Sequence, residues 1–171
     1  MDKLSPPISI DVRKLTVPKL LSCYGAILEE LRHRGIVRSS NNPLSDYAEG
    51  LFCATFSWKQ EGNSSAGYDA IDADGVRYQI KARRLRDHKT SRQMSAIRSL
   101  PETPFDFLAG LLVNQEFDII RAAIVPVAVV QAKAKYVGHT NSWRFLLRDD
   151  VWSEPSVRDV TAEVSTTATA I

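Results

Sequence analysis

The apolar positions of the chain fall into a succession of periods. Leu20, Tyr24, Ile27, Leu28 and Leu31 recur at helical spacing, with Glu29, Glu30, Arg32 and Arg34 on the other side. They predict a helix with Thr16 as N-cap, Pro18 in its first turn and Gly35 just past its end. Residues 1–15 hold Pro6 and Pro7 and no sustained period, which suits an arm or an edge strand. Ser39-Ser40-Asn41-Asn42-Pro43 then breaks the chain, and Asn42 and Pro43 open a second helix as N-cap and first helical residue. Leu44, Tyr47, Ala48, Leu51 and Thr55 share its apolar face. Glu49 falls with Phe52, Cys53 and Phe56 on a second, mostly apolar flank. A carboxylate there is costly unless it is paired, hydrogen-bonded or bound to a metal.

Beyond Gly67 the period shortens to two. Two strand-like runs flank Asp74-Gly75, a hairpin signature. Residues 105–113 and 119–125 are apolar runs separated by Asn114-Gln115-Glu116, and they read as buried strands of the same sheet. Residues 127–135 predict a helix on that sheet, residues 143–147 a short strand, and residues 150–163 an amphipathic helix. The end, residues 164–171, reads as a loose tail. The expected organisation is one domain of mixed α and β structure. Residues 1–38 form an N-terminal arm and helix, and residues 42–160 form the core.

Composition adds limits. With 171 residues, 44% hydrophobic and 25% charged, the chain can bury an ordinary core. Cys23 and Cys53 are too few for a disulfide framework or a Cys-rich zinc site. There is no apolar leader and no run of about 18 apolar residues, so the expectation is a cytoplasmic protein that does not span a membrane. The net charge of +2 hides a block. Residues 81–98 carry Lys81, Arg83, Arg84, Arg86, Lys89, Arg92 and Arg98 against Asp87, a local charge of +6, leaving −4 elsewhere. Such a block is either a footprint for a polyanion or a solvated loop. From Asp149 onward, five acids face one base.

The hairpin carries the candidate chemistry. Val76, Tyr78, Ile80 and Ala82 suit a core and alternate with Arg77, Gln79, Lys81 and Arg83. A two-residue Asp74-Gly75 loop sets Asp72 opposite Arg77, whereas a three-residue Ala73-Asp74-Gly75 loop sets Asp69 opposite Gln79, one pair from Lys81. The longer loop is preferred, because a type I turn followed by a left-handed residue wants glycine where Gly75 stands. Asp69 is then the acid of the site, and Asp72 is the alternative. Opposed residues have Cβ atoms about 5 Å apart, so the Asp69 carboxylate and the Gln79 side-chain carbonyl can hold one divalent ion. Oxygen donors without His or Cys nearby suit Mg²⁺ rather than zinc. Lys81 could orient an attacking water and offset charge growing on a phosphate, which amounts to metal-assisted phosphodiester cleavage. The plainer alternative is a surface hairpin with an Asp69–Lys81 ion pair worth under about 1 kcal/mol.

Asp69 followed by Gln79-Ile80-Lys81 resembles the PD-(D/E)xK signature of the restriction-endonuclease-like nuclease superfamily. The closest form is the D…QxK variant of Mrr-like and related prokaryotic nucleases, in which glutamine replaces the second acid. Tyr47-Ala48-Glu49-Gly50-Leu51 resembles the first core helix of that superfamily, whose glutamate often joins the metal site. Residues 42–84 are similar to a prokaryotic family with a GYDAID…RYQIKARR core. Phe105-Asp106 and Leu146-Leu147-Arg148-Asp149-Asp150-Val151-Trp152 fit its later strand and its ending, so the likeness spans residues 40–160. The resemblance implies a central mixed β-sheet flanked by helices, with an extra N-terminal helix, and a nuclease that uses Mg²⁺ or Mn²⁺. It implies Asp69 as principal metal ligand, Gln79 as neutral ligand helped by the Ile80 backbone carbonyl, Lys81 on the water and the scissile phosphate, and Glu49 as accessory ligand or general base. It also implies DNA as substrate and a homodimer where both strands are cut. Two departures stand out. Tyr68 occupies the proline position of the signature, and Gln79 removes a negative charge, which should weaken metal binding.

In that frame Arg83, Arg84, Arg86, Lys89, Arg92 and Arg98 become contacts for nucleic-acid phosphates, with residues 94–98 expected as a short helix. His33, His88 and His139 are scattered without metal-ligand spacing, though His88 lies beside the block. No glycine-rich nucleotide loop is present. Trp58, Trp143 and Trp152 read as packing residues, Trp58 being the one near the hairpin. Two other readings remain: a catalytically silent nucleic-acid-binding module on the same fold, favoured by the neutral Gln79, and a protein-interaction domain of a defence or toxin–antitoxin system whose acidic tail meets a basic partner.

Overall fold

A computed structural model of the chain describes residues 11–38, 42–62, 67–86 and 91–171. It divides into two compact units, Met1–Ser40 and Asn41–Ile171. In the first, a 3-10 turn at Val12–Lys14 precedes α1 (Val17–His33). Thr16 is the N-cap, proline stands in the first turn, and Gly35 takes φ +72° after the last turn, as the pattern predicts. The apolar stripe does not behave as a buried face. Leu28 is buried, but Tyr24 and Ile27 are 53% and 56% exposed. A single helix has no second layer within its own unit on which to close such a stripe.

The second unit opens with α2 (Pro43–Phe56), capped by the Asn42 side chain, which accepts the Leu44 N–H at 3.0 Å. Its strands follow as β1 (Lys59–Gln60), β2 (Ala70–Ile71), β3 (Arg77–Arg84), β4 (Phe107–Val113) and β5 (Ile119–Pro126). Then come α3 (Val127–Lys133), β6 (Lys135–Val137), β7 (Ser142–Arg144), α4 (Asp149–Trp152), β8 (Arg158–Asp159) and α5 (Thr161–Ala168). The main sheet has the order β1-β2-β3-β4-β5-β8, with β3 and β4 parallel and the other neighbours antiparallel. β6 and β7 form a separate hairpin. The class is α+β, a central mixed sheet flanked by helices.

Period-two alternation sorts the sheet into two faces. Tyr78, Ile80, Ala109, Leu111 and Val113 meet Leu44, Ala48, Leu51 and Phe52 of α2 and Val164 of α5. Leu108, Leu112, Ala123 and Val125 face Met94, Ile97, Leu100, Phe105, Phe145 and Leu147 on the other side. Each buried Val, Leu, Ile, Phe or Met among them contributes about 1.5–3 kcal/mol. On the α2 face Trp58 stacks on Tyr78 with ring centroids 3.7 Å apart, next to Phe56 at 5.1 Å. Trp58 is therefore packing, as expected.

Three expectations yield to tertiary pairing. Residues 94–98 are extended rather than helical, because Ile97 exchanges backbone hydrogen bonds with Trp143 at 3.0 and 2.7 Å and so uses the free edge of β7. Residues 150–163 are not one helix. Pro155 disfavours helix at Glu154, and the chain instead adds β8 to the edge of β5. The expected loose tail holds most of α5, anchored by buried Val164. The strands β1 and β6 are too short to show a period, so the pattern does not predict them.

Candidate functional site

The β2–β3 hairpin adopts the longer loop. Ala70 pairs with Tyr78 and Ile71 with Arg77, the Asp72 N–H reaches the Val76 carbonyl at 3.1 Å, and Gly75 sits at φ +83°. The register ends at Ala70, and Asp69 before it bonds to Tyr78 and Ile80, the two residues that flank Gln79. The Asp72 carboxylate is spent on the turn. It accepts the N–H groups of Asp74 and Val76 at 3.0 and 2.9 Å and the Tyr78 hydroxyl at 2.9 Å. Burial opposes ionisation of Asp72, but these bonds outweigh it and hold the carboxyl below its usual range. Asp72 is therefore no candidate ligand. Burial and the Asp72 bond push the Tyr78 hydroxyl well up.

Strand β2 begins at Ala70, so β3 has an open edge beside Ile80. Asp69 fills it. Its N–H donates to the Tyr78 carbonyl at 2.8 Å, and its Oδ2 accepts the Ile80 N–H at 2.6 Å. A strand residue carries its N–H and its C=O on the same edge, so the Ile80 carbonyl faces the same gap as the Asp69 carboxylate. Gln79 and Lys81 stand on the sheet face opposite α2, since Tyr78 and Ile80 between them pack towards α2. Gln79 Oε1 is buried and has no hydrogen-bond partner among the described residues. Lys81 is half-buried and forms no ion pair among the described residues, so the Asp69–Lys81 surface pair is not made. Next to Lys81 in the register is Gly110, where a Cβ would lie 2.6 Å from Leu147 Cδ2 and 3.3 Å from Met94 Cε. A side chain there would have to displace the ends of Leu147 and Met94.

Glu49 approaches from the other side. It projects from α2 and accepts the Gln60 amide at 3.0 Å, and Gln60 pairs with Ala70, next to Asp69. The structure thus bonds Asp69 to Ile80 at the edge of β3, sets Gln79 and Lys81 on either side of Ile80 on one sheet face, and ties Glu49 to β1 through Gln60. Gln60 is the participant the sequence did not reveal, because a two-residue strand leaves no period. Among the described residues no three His, Cys, Asp or Glu side chains gather as a metal-binding group. The oxygen donors here are one carboxylate, one amide and one peptide carbonyl. They fit a hard divalent cation that keeps several waters.

The basic block divides. Arg92 is bound to Asp149 at 2.6 Å, and Arg121 bridges Asp149 and Asp159 at 3.2 Å each. Lys133 pairs with Asp150 and Glu154 at 3.0 and 2.8 Å. The acidic end of the chain therefore meets bases of its own core. Arg98 is exposed and lines a second cavity of about 290 Å³ with Tyr136 and Trp143. Arg83, Arg84 and Arg86 surround a cleft of about 370 Å³ with Asn42, Leu44, Ser45 and Ala82. Lys89 and His88 lie outside the described residues.

Fold and site together define a class: an α+β domain in which an acid bonds the edge of an internal strand that carries an amide and a lysine on one face. No protein-family model matches the chain, and no curated protein matches it. No described helix is long and apolar enough to cross a membrane.

Proposed function

We propose that this protein is a metal-dependent nuclease of the restriction-endonuclease-like type, hydrolysing phosphodiester bonds in DNA. The observation that carries the reading is Gln79 Oε1, buried and without a hydrogen-bond partner among the described residues, on the strand whose next residue, Ile80, is bonded by Asp69 and whose following residue is Lys81. A buried acceptor without a donor costs about 1–3 kcal/mol, and a cation on that oxygen removes the cost. Asp69, Gln79 and the Ile80 carbonyl would hold Mg²⁺ or Mn²⁺, and Glu49 would assist by way of Gln60. The cation, when bound, supplies charge stabilisation at the phosphate and lowers the pKa of water. Lys81 directs its ammonium at the anion that the reaction enlarges, and Gly110 leaves room for the packing beneath it.

One observation favours binding without cleavage. Asp69 Oδ2 already accepts a peptide N–H at 2.6 Å, and among the described residues no group of three metal-binding side chains forms. Cleavage of single-stranded, double-stranded, modified and structured substrates, assayed with Mg²⁺ or Mn²⁺ and with chelator, separates the two. Metal-dependent cleavage that disappears in Asp69→Ala and Lys81→Ala, with both variants folded, supports the nuclease. Salt-sensitive binding with no cleavage of any substrate selects the silent module.

A further inference from the structure

We infer that the cleft at the end of β3 is a binding site for a terminal phosphate monoester of a nucleic-acid strand, separate from the metal site. The inference deepens the nuclease reading by naming what the substrate presents beside the cleaved bond.

Arg83, Arg84 and Arg86 line one cleft of about 370 Å³, and among the described residues no carboxylate lines it with them. Elsewhere in this unit, guanidinium groups at packed positions are compensated: Arg77 by Asp106 at 2.9 Å, Arg92 by Asp149, and Arg121 by Asp149 and Asp159. The three cleft arginines have no ion pair among the described residues. Two of them are nevertheless held in place. Arg83 Nε donates to the Ser91 carbonyl at 3.2 Å, and the Arg84 guanidinium lies 4.7 Å from the centre of the Phe117 ring. Three cations lining one cavity, two of them anchored, repel one another unless an anion joins them. A monoester carries about −1.5 to −2 at neutral pH, against −1 for a backbone diester, so the strand end matches the larger charge. Guanidinium forks suit phosphate oxygens, and the Ser45 hydroxyl adds a neutral donor. By the alternation along β3, Arg84 belongs to the α2 side of the sheet, as Leu44 and Ser45 of the cleft and its partner Phe117 do, whereas Lys81 belongs to the other face, so the cleft is distinct from the metal site.

The test is equilibrium binding of short fluorescent DNA oligonucleotides with a 5′-phosphate, a 3′-phosphate or only hydroxyl ends, in chelator so that nothing is cut. The expected result is an affinity gain of at least about tenfold for one phosphorylated end, with the two arms showing which. The double variant Arg83→Gln/Arg86→Gln should erase that gain while its melting temperature holds, and Lys81→Ala should keep it. Equal affinity for all three ends, or a gain that survives the double variant, overturns the proposal. Cleavage by the wild type without an end preference would sink the subsite alone. An end preference without cleavage would leave the subsite standing and sink the nuclease.

Discussion

Gln79 holds an amide oxygen where an amide oxygen is expensive, and that cost makes its role testable. Gln79→Leu removes an unsatisfied acceptor while keeping an apolar stem, so stability should hold or rise, with Mn²⁺ binding lost. Calorimetry and thermal melts check both; a variant that loses stability by more than about 1 kcal/mol would show that the amide has a structural partner. Asp106 presents the opposite case. The Arg77 guanidinium, which it binds at 2.9 Å, holds its carboxyl below the ordinary 3.8 despite partial burial. A carboxyl depressed in the folded chain adds stability above its ordinary value, and the contribution is lost as pH falls through the depressed one. Asp106→Asn should therefore lower the melting temperature at neutral pH, and its difference from wild type should shrink below pH 3.8. A constant difference across that range would place the effect in packing.

The β2–β3 hairpin is the element most legible in the sequence. Glycine at position 75 is the residue a left-handed turn position demands, and that choice of loop sets which acid faces Gln79. The edge of β3 beside Ile80 is less legible, because it depends on where β2 begins. Its neighbour β4 contributes through a missing side chain. Gly110→Ala would press on Leu147 and Met94, both buried, and should cost about 1–3 kcal/mol in a denaturant titration. Because Lys81 is its register partner, the same change should weaken cleavage more than it weakens DNA binding. A fully active, equally stable variant would show that the layer beneath the site yields freely.

At the level of the whole molecule, charge is redistributed by contacts between distant parts of the chain. Asp149 is 57 residues from Arg92 and closes on it at 2.6 Å. This acidic end thereby withdraws one arginine from the basic block and leaves the cleft arginines uncompensated. Asp149→Asn exposes Arg92 again. The pair is solvent-exposed, so stability should change by under about 1 kcal/mol. DNA affinity should rise and its salt dependence steepen by roughly one phosphate contact. Unchanged affinity and slope would show that Arg92 lies off the path of the nucleic acid.

The sequence by itself determined the local features: the caps of α1 and α2, the turn at Gly75, and the apolar runs of β4 and β5. Each follows from forces within one or two turns of chain, namely φ preference, capping and alternation. Only the tertiary structure decided that residues 94–98 are extended, that β8 interrupts the expected C-terminal helix, and that Asp72 belongs to the turn. It also decided that Gln79 Oε1 has no donor and that three arginines share one cleft. These depend on which edge, cavity or counter-charge a residue meets from far along the chain, and no local preference encodes such a meeting.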